Sequence, residues 1–186
     1  YLPVGSFRKL YVYEVYRRNR GLLAFCNPQS KTGFLIFFAR NAERMALPPV
    51  ERIALDCHIA SDFSFEARAA ESREDAWEGL NNFLEQSSEL STTGPTIFFA
   101  QCEMSTANFR ATVPRAHKFP VIAVPHSAQD AGFQGAGWAA ELVQLFLLRF
   151  NFLNDYLGQL RKYARYADVP LGNLGQDPVS FMSDLM

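Results

Sequence analysis

Two short runs, Phe34-Leu35-Ile36-Phe37-Phe38-Ala39 and Thr96-Ile97-Phe98-Phe99-Ala100, are apolar with no alternation. A strand with one wet face alternates apolar and polar residues, so these runs predict strands buried on both faces. A later stretch, Leu142–Phe152, is apolar nearly all round a helical projection and predicts a buried rather than a surface helix.

The rest of the chain can be ordered around these three. Residues 7–16, FRKLYVYEVY, alternate apolar with polar and are rich in β-branched and aromatic types, which predicts a strand. Gly21 to Cys26 predicts a second strand after the charged turn Arg17-Arg18-Asn19-Arg20, and the Phe34–Ala39 run follows a loop of turn residues at 27–33. Three neighbouring strands with short turns predict an antiparallel meander. Ile53-Ala54-Leu55 and Phe63–Ala67 read as extended segments completing the sheet. Ser72-Arg73-Glu74-Asp75 opens a helix with acids in its first turn and Ala76, Leu80, Phe83 and Leu84 on one face. After the Thr96–Ala100 strand come a short helix around Ser105–Ala111, a strand Val121–Val124, a polar loop at 125–137, and a helical pattern from Trp138 to about Ala167, with Gly158 as the place for a bend. Strand–helix–strand alternation calls for crossovers and parallel neighbours.

Length and composition narrow the classes. The 186 residues fit one domain, and 48% hydrophobic residues with 17 Phe exclude disorder. Eighteen basic against nineteen acidic residues leave a net charge of -1, which gives no support to a strongly basic phosphate-binding surface. Cys26, Cys57 and Cys102 form no CxxC pair and no even framework, so they read as small hydrophobes in a reducing compartment. The longest apolar run, Leu145–Leu148, is too short for a membrane span, and no secretory leader pattern opens the sequence. A first residue Tyr1 and a last helix that stops in mid-pattern read as a piece of a longer chain.

Several clusters invite chemistry and have plainer readings. Asp56-Cys57-His58, read as a strand, would point its side chains to opposite faces and could not converge. Asp62 and Glu66 read as a solvated strand face. Gly132, Gly135 and Gly137 precede a helix but lie too far from the strand ending at Val124 to cradle a phosphate as a dinucleotide fingerprint does. Arg17, Arg18 and Arg20, with Tyr11, Tyr13 and Tyr16 nearby, are the best candidates for nucleic-acid contact, by charge and stacking. Arg149, Arg161, Lys162 and Arg165 offer a second basic face, which also suits the end of a helix dipole.

The C-terminal run Arg165-Tyr166-Ala167-Asp168-Val169-Pro170-Leu171-Gly172-Asn173-Leu174, continuing through Asp177 to Phe181 and Ser183-Asp184-Leu185, reads as a helix end, a tight turn and the start of another helix. It resembles the junction in B-family DNA polymerases between the last exonuclease helix and the polymerase fold. With Pro170, Gly172, Asn173 and Leu174 as the signature turn, it looks most like the second, degenerate exonuclease–polymerase half of the DNA polymerase epsilon catalytic subunits. Gly94-Pro95-Thr96-Ile97 and Lys118–Pro125 are also similar to that family; Ser6–Tyr13 is so only loosely.

The resemblance implies an α/β, ribonuclease H-like exonuclease fold with a mixed sheet and long C-terminal helices. Residues 1–167 would form the exonuclease-like domain and 168–186 the start of a polymerase-like segment. Active members hold two divalent ions with Asp-x-Glu on a first strand, an Asp in a second motif and Tyr-x-x-x-Asp on a late helix. Here the best sequence matches are Gly33–Arg40, with no acid; Pro95–Glu103, with Glu103; and Trp138–Gln144, with Glu141. No acid in the first match and one in each of the other two do not assemble a site for hard cations. The implied role is therefore a non-catalytic scaffold in leading-strand replication, nuclear, without cofactor, metal or catalytic residue, and contacting the replicative helicase and the polymerase B-subunit. Two alternatives stay open: a working metal-dependent 3′–5′ exonuclease using Glu103, Glu141 and Asp130, or a non-catalytic nucleic-acid-binding module built on Arg17–Arg20.

Overall fold

The computed structural model describes residues 8–87, 90, 95–125 and 135–167, with residue 43 and residues 156–167 described by their backbone alone. Strands β1 (Arg8–Arg17), β2 (Arg20–Asn27) and β3 (Thr32–Phe38) form the expected antiparallel meander. The first turn is closed by Arg18 at φ 55. In the second, Asn27 Oδ1 accepts from the backbone N–H of Gln29 at 3.1 Å and of Ser30 at 3.4 Å, and Lys31 adopts φ 57. A side-chain amide that mimics a backbone turn in this way is why Asn suits the position.

Helix α1 (Val50–Cys57) follows, then β4 (Ser64–Ala70), α2 (Arg73–Gln86), β5 (Thr96–Gln101), α3 (Thr106–Thr112), β6 (Val121–Ala123) and α4 (Trp138–Ala167). Ser72 and Ser105 cap α2 and α3, each accepting at 3.1 Å through its hydroxyl from the N–H three residues on. The expectation of an extended Ile53-Ala54-Leu55 is wrong. Val50, Ile53, Ala54 and Cys57 recur at helical spacing, with Val50 and Ala54 buried and Glu51 in the first turn. His58, at φ 56, terminates that helix with its N–H on the carbonyls of Ala54 and Leu55.

The sheet order is β4-β3-β2-β1-β5-β6. The pairs β1·β5, β5·β6 and β3·β4 are parallel, so β2 alone runs against the rest. Side-chain alternation splits the core into two slabs. Tyr11, Tyr13, Leu35, Phe37 and Phe99 pack with α1 and α4, while Leu10, Val12, Phe34 and Phe98 pack with α2 and α3. Helices on both faces explain the unbroken apolar strands, since a fully buried side chain of this size contributes roughly 2 kcal/mol on either face. At one edge, β4 alternates exposed and half-buried residues and carries Glu66 and Arg68 outward, which blunts it against further pairing.

Helix α4 is helical throughout Trp138–Ala167, including Gly158, and is about 45 Å long at 1.5 Å per residue. It buries one stripe, Leu142, Val143, Phe146, Leu147, Phe150 and Leu153. The expectation of burial all round is corrected by Leu148 and Phe152, which are exposed on the opposite side.

Candidate functional site

The middle of β1, the end of β5 and the buried stripe of α4 meet on one face of the sheet. Parallel pairing sets Tyr13 beside Gln101 and Tyr11 beside Phe99. Because side chains alternate, Tyr11, Tyr13 and Gln101 share the face that α4 covers. The Tyr11 hydroxyl donates a short hydrogen bond to Gln101 Oε1, and Gln101 Nε2 donates to the carbonyl of Pro125 at 2.8 Å. Phe146 and Phe150, one helical turn apart, close the space: Tyr11 lies 6.1 and 6.0 Å from their ring centroids, and Tyr13 lies 5.8 Å from Phe146. Burial raises both tyrosine pKa values, and the Arg149 guanidinium on α4 opposes the shift.

This cluster does not fit a pair of divalent cations. Such ions need several carboxylate oxygens, and the groups facing one another are two protonated phenols, one amide and two phenyl rings. The one acid in β1, Glu14, points through the sheet to the other slab. There its carboxylate accepts from Arg73 Nε at 2.7 Å and Arg73 Nη2 at 2.9 Å, and from Trp77 Nε1 at 2.8 Å. Three donors satisfy a side chain with no exposed surface, and the Arg73 guanidinium lies 4.5 Å from the Tyr16 ring centroid. The bond to Glu14 raises the Arg73 pKa. Cys102 lies in the same slab; burial, with a smaller effect from Glu14, pushes its thiol up to about 12. Glu14 serves as a buried structural anchor for the start of α2.

The residues singled out in the sequence are scattered. The match of the first motif to Gly33–Arg40 falls on β3, three strand positions or roughly 14 Å from β5, so these two motifs do not converge; β1 is the neighbour of β5. Glu103 and Glu141 are both exposed, Glu141 on the side of α4 away from Phe146 and Phe150. Asp130, Gly132 and the signature residues Pro170, Gly172, Asn173 and Leu174 lie outside the described residues. Asp56-Cys57-His58 sits on the last turn of α1 rather than on a strand, with Asp56 paired to Arg52. Asp62 pairs with Lys31, which lowers its pKa, and Glu66 pairs with Arg68, both pairs being exposed.

Arg17, Arg18 and Arg20 surround the β1–β2 turn as expected, but the aromatic partners do not. Tyr11 and Tyr13 are buried under α4, Tyr16 lies beneath Arg73, and Arg20 stacks on Trp138 at 5.1 Å. Sequence reasoning missed Glu14, Arg73, Tyr11 and Gln101 as a set. A lone acid within an apolar strand was the available signal for Glu14; the other contacts depend on strand neighbours far apart in the chain.

Comparison with known families settles the lineage. Residues 50–186 match the family described as "Domain of unknown function (DUF1744)". The chain belongs to the DUF1744 family. Among curated proteins, it is similar to the DNA polymerase epsilon catalytic subunit of Dictyostelium discoideum, 21% identical over 201 aligned positions that take in the whole chain and 8% of that protein. The Aspergillus fumigatus protein of the same name is 20% identical over 194 positions, 94% of this chain and 8% of the relative. A DNA polymerase epsilon catalytic subunit from Arabidopsis thaliana is 27% identical over 92 positions, 50% of this chain and 4% of the relative. The chain thus spans less than a tenth of the length of these relatives.

Proposed function

We propose that this DUF1744 chain is a degenerate, ribonuclease H-like exonuclease domain that acts without catalysis in DNA replication, as part of the scaffold of a polymerase epsilon catalytic subunit. The names of its relatives support the setting, and the sheet order supports the fold. Setting aside the edge strand β4, an antiparallel β3-β2-β1 meander with parallel β5 and β6 beside β1 is the arrangement such an exonuclease uses.

A single observation carries the loss of catalysis. On this fold the first-motif acids would sit on β1 facing α4, the second-motif Asp at the end of β5, and the Tyr-x-x-x-Asp pair on the late helix. In this reading Tyr11-x-Tyr13, Gln101 and, in place of the Trp138–Gln144 match, Phe146-x-x-x-Phe150 correspond to those positions, and their packing against one another supports it. Exchanging acids for phenols, an amide and rings removes a like-charge cluster that is unfavourable without metal, and turns a cation site into core. In this reading residues 1–167 form the exonuclease-like unit, 168–186 lead into the next segment, and the protein works in the nucleus.

A scaffold is tested by its contacts. The chain should co-purify with the polymerase B-subunit or with the replicative helicase when each is co-expressed, in the absence of DNA. Failure to bind either one would refute the scaffold role while leaving the inactivity of the site to its own assay.

A further inference from the structure

Between α3 and the 3-10 turn Pro114–Lys118 the surface opens into a groove of about 600 Å³. Its floor includes Leu90 and Phe119, and its walls carry Arg110, Arg115, His117 and Lys118. Among the described residues, none that lines it is acidic, on a chain whose net charge is -1. Among the described residues, no ion pair engages these side chains. Arg110 is half-buried and its Nη2 donates to the Phe119 carbonyl at 3.4 Å, which ties the wall to the floor. The rest of the wall is exposed and set by a short turn that begins at Pro114 and packs through buried Ala116.

We propose that this groove docks an acidic peptide segment of a partner protein, one that carries a single apolar anchor among its carboxylates. The cationic wall supplies charge complementarity, which speeds encounter and sets register. The concavity decides between a peptide and a nucleic acid. A volume of this size accepts one or a few side chains, whereas a duplex would meet protruding cations on a convex or flat face. An apolar floor under a charged rim suits an anchor residue flanked by acids. No residue of the β1–β5–α4 cluster takes part, so this inference stands or falls apart from the exonuclease reading.

The test uses the whole chain and a fluorescein-labelled peptide of interspersed glutamates around one phenylalanine, followed by fluorescence anisotropy. Binding is expected, on the order of tenfold weaker for Arg115→Ala/Lys118→Ala and again for a peptide with the phenylalanine replaced by alanine. Arg18→Ala, on the far β1–β2 turn, is expected to leave the affinity unchanged, and circular dichroism checks that each variant is folded. Absence of binding would overturn the proposal. So would equal losses with Arg18→Ala, or tight binding of a single-stranded oligonucleotide in place of the peptide.

Discussion

Tyr11 and Glu14 sit three residues apart on one strand and illustrate two ways to keep polar groups inside a core. Tyr11 keeps its proton and donates it in a hydrogen bond to Gln101 Oε1. Tyr11→Phe leaves the shape but strands the Gln101 carbonyl, and a loss of about 1–2 kcal/mol is expected in urea unfolding. A change of only a few tenths would mean that the hydroxyl is not a structural bond. The Glu14 side chain is held by a guanidinium and an indole. Glu14→Gln should cost about 2–3 kcal/mol, below the value for a fully buried pair, because Arg73 is partly exposed and can turn toward water. The double variant Glu14→Leu/Arg73→Met should recover part of that loss, since the desolvation of both charges disappears together. Denaturant midpoints of the single and double variants check both statements.

At the scale of elements, chemistry follows from which slab a segment joins. Cys26 and Cys102 are buried in opposite slabs, while Cys57 is half-exposed at the end of α1. A maleimide should therefore label Cys57 first, and Cys102 only on unfolding, since its thiol is held near 12. Mass mapping of a short labelling time course distinguishes this from uniform reactivity. Gly21, opposite Tyr16 in the first hairpin, shows how tightly the meander is packed. A Cβ there would lie 2.4 Å from the Val15 carbonyl and 2.7 Å from the Phe38 ring. Gly21→Ala should lower stability by about 1–3 kcal/mol, read as a fall in melting temperature.

Elements of this kind were unevenly legible. The meander, α2, α3 and the β5 and β6 strands could be read from periodicity and caps, because those signals are local. The α1 helix was missed since eight residues with only two buried positions leave a weak pattern. The candidate site was missed because the sequence places the first motif on the most apolar strand, Gly33–Arg40. Sheet order instead makes β1 the neighbour of β5, and that is a property of pairing over some ninety residues of chain.

For the molecule as a whole, burying phenols links stability to alkaline pH. Tyr11 and Tyr13 hold their protons above the usual 10.0 because burial disfavours the phenolate. Their contribution is fully present below the unfolded value and is lost as pH rises past it toward the folded values, where the unfolded chain releases protons that the native state retains. Urea midpoints should therefore hold up to about pH 9 and fall from about pH 10 upward, and fall less in Tyr11→Phe. Native-state absorbance should show these two phenols resisting ionisation until the chain unfolds.

On the proposed function, the meeting point of β1, β5 and α4 is core and binds no divalent cation. Calorimetric titration of the chain with manganese, run beside a 3′–5′ nuclease assay on single-stranded DNA in the same buffer, tests it most directly. No binding heat and no cleavage are expected. Metal-dependent cleavage abolished by Glu103→Ala or Glu141→Ala would contradict it, and would mean that exposed acids, rather than the Tyr11–Gln101–Phe146 cluster, mark the working site.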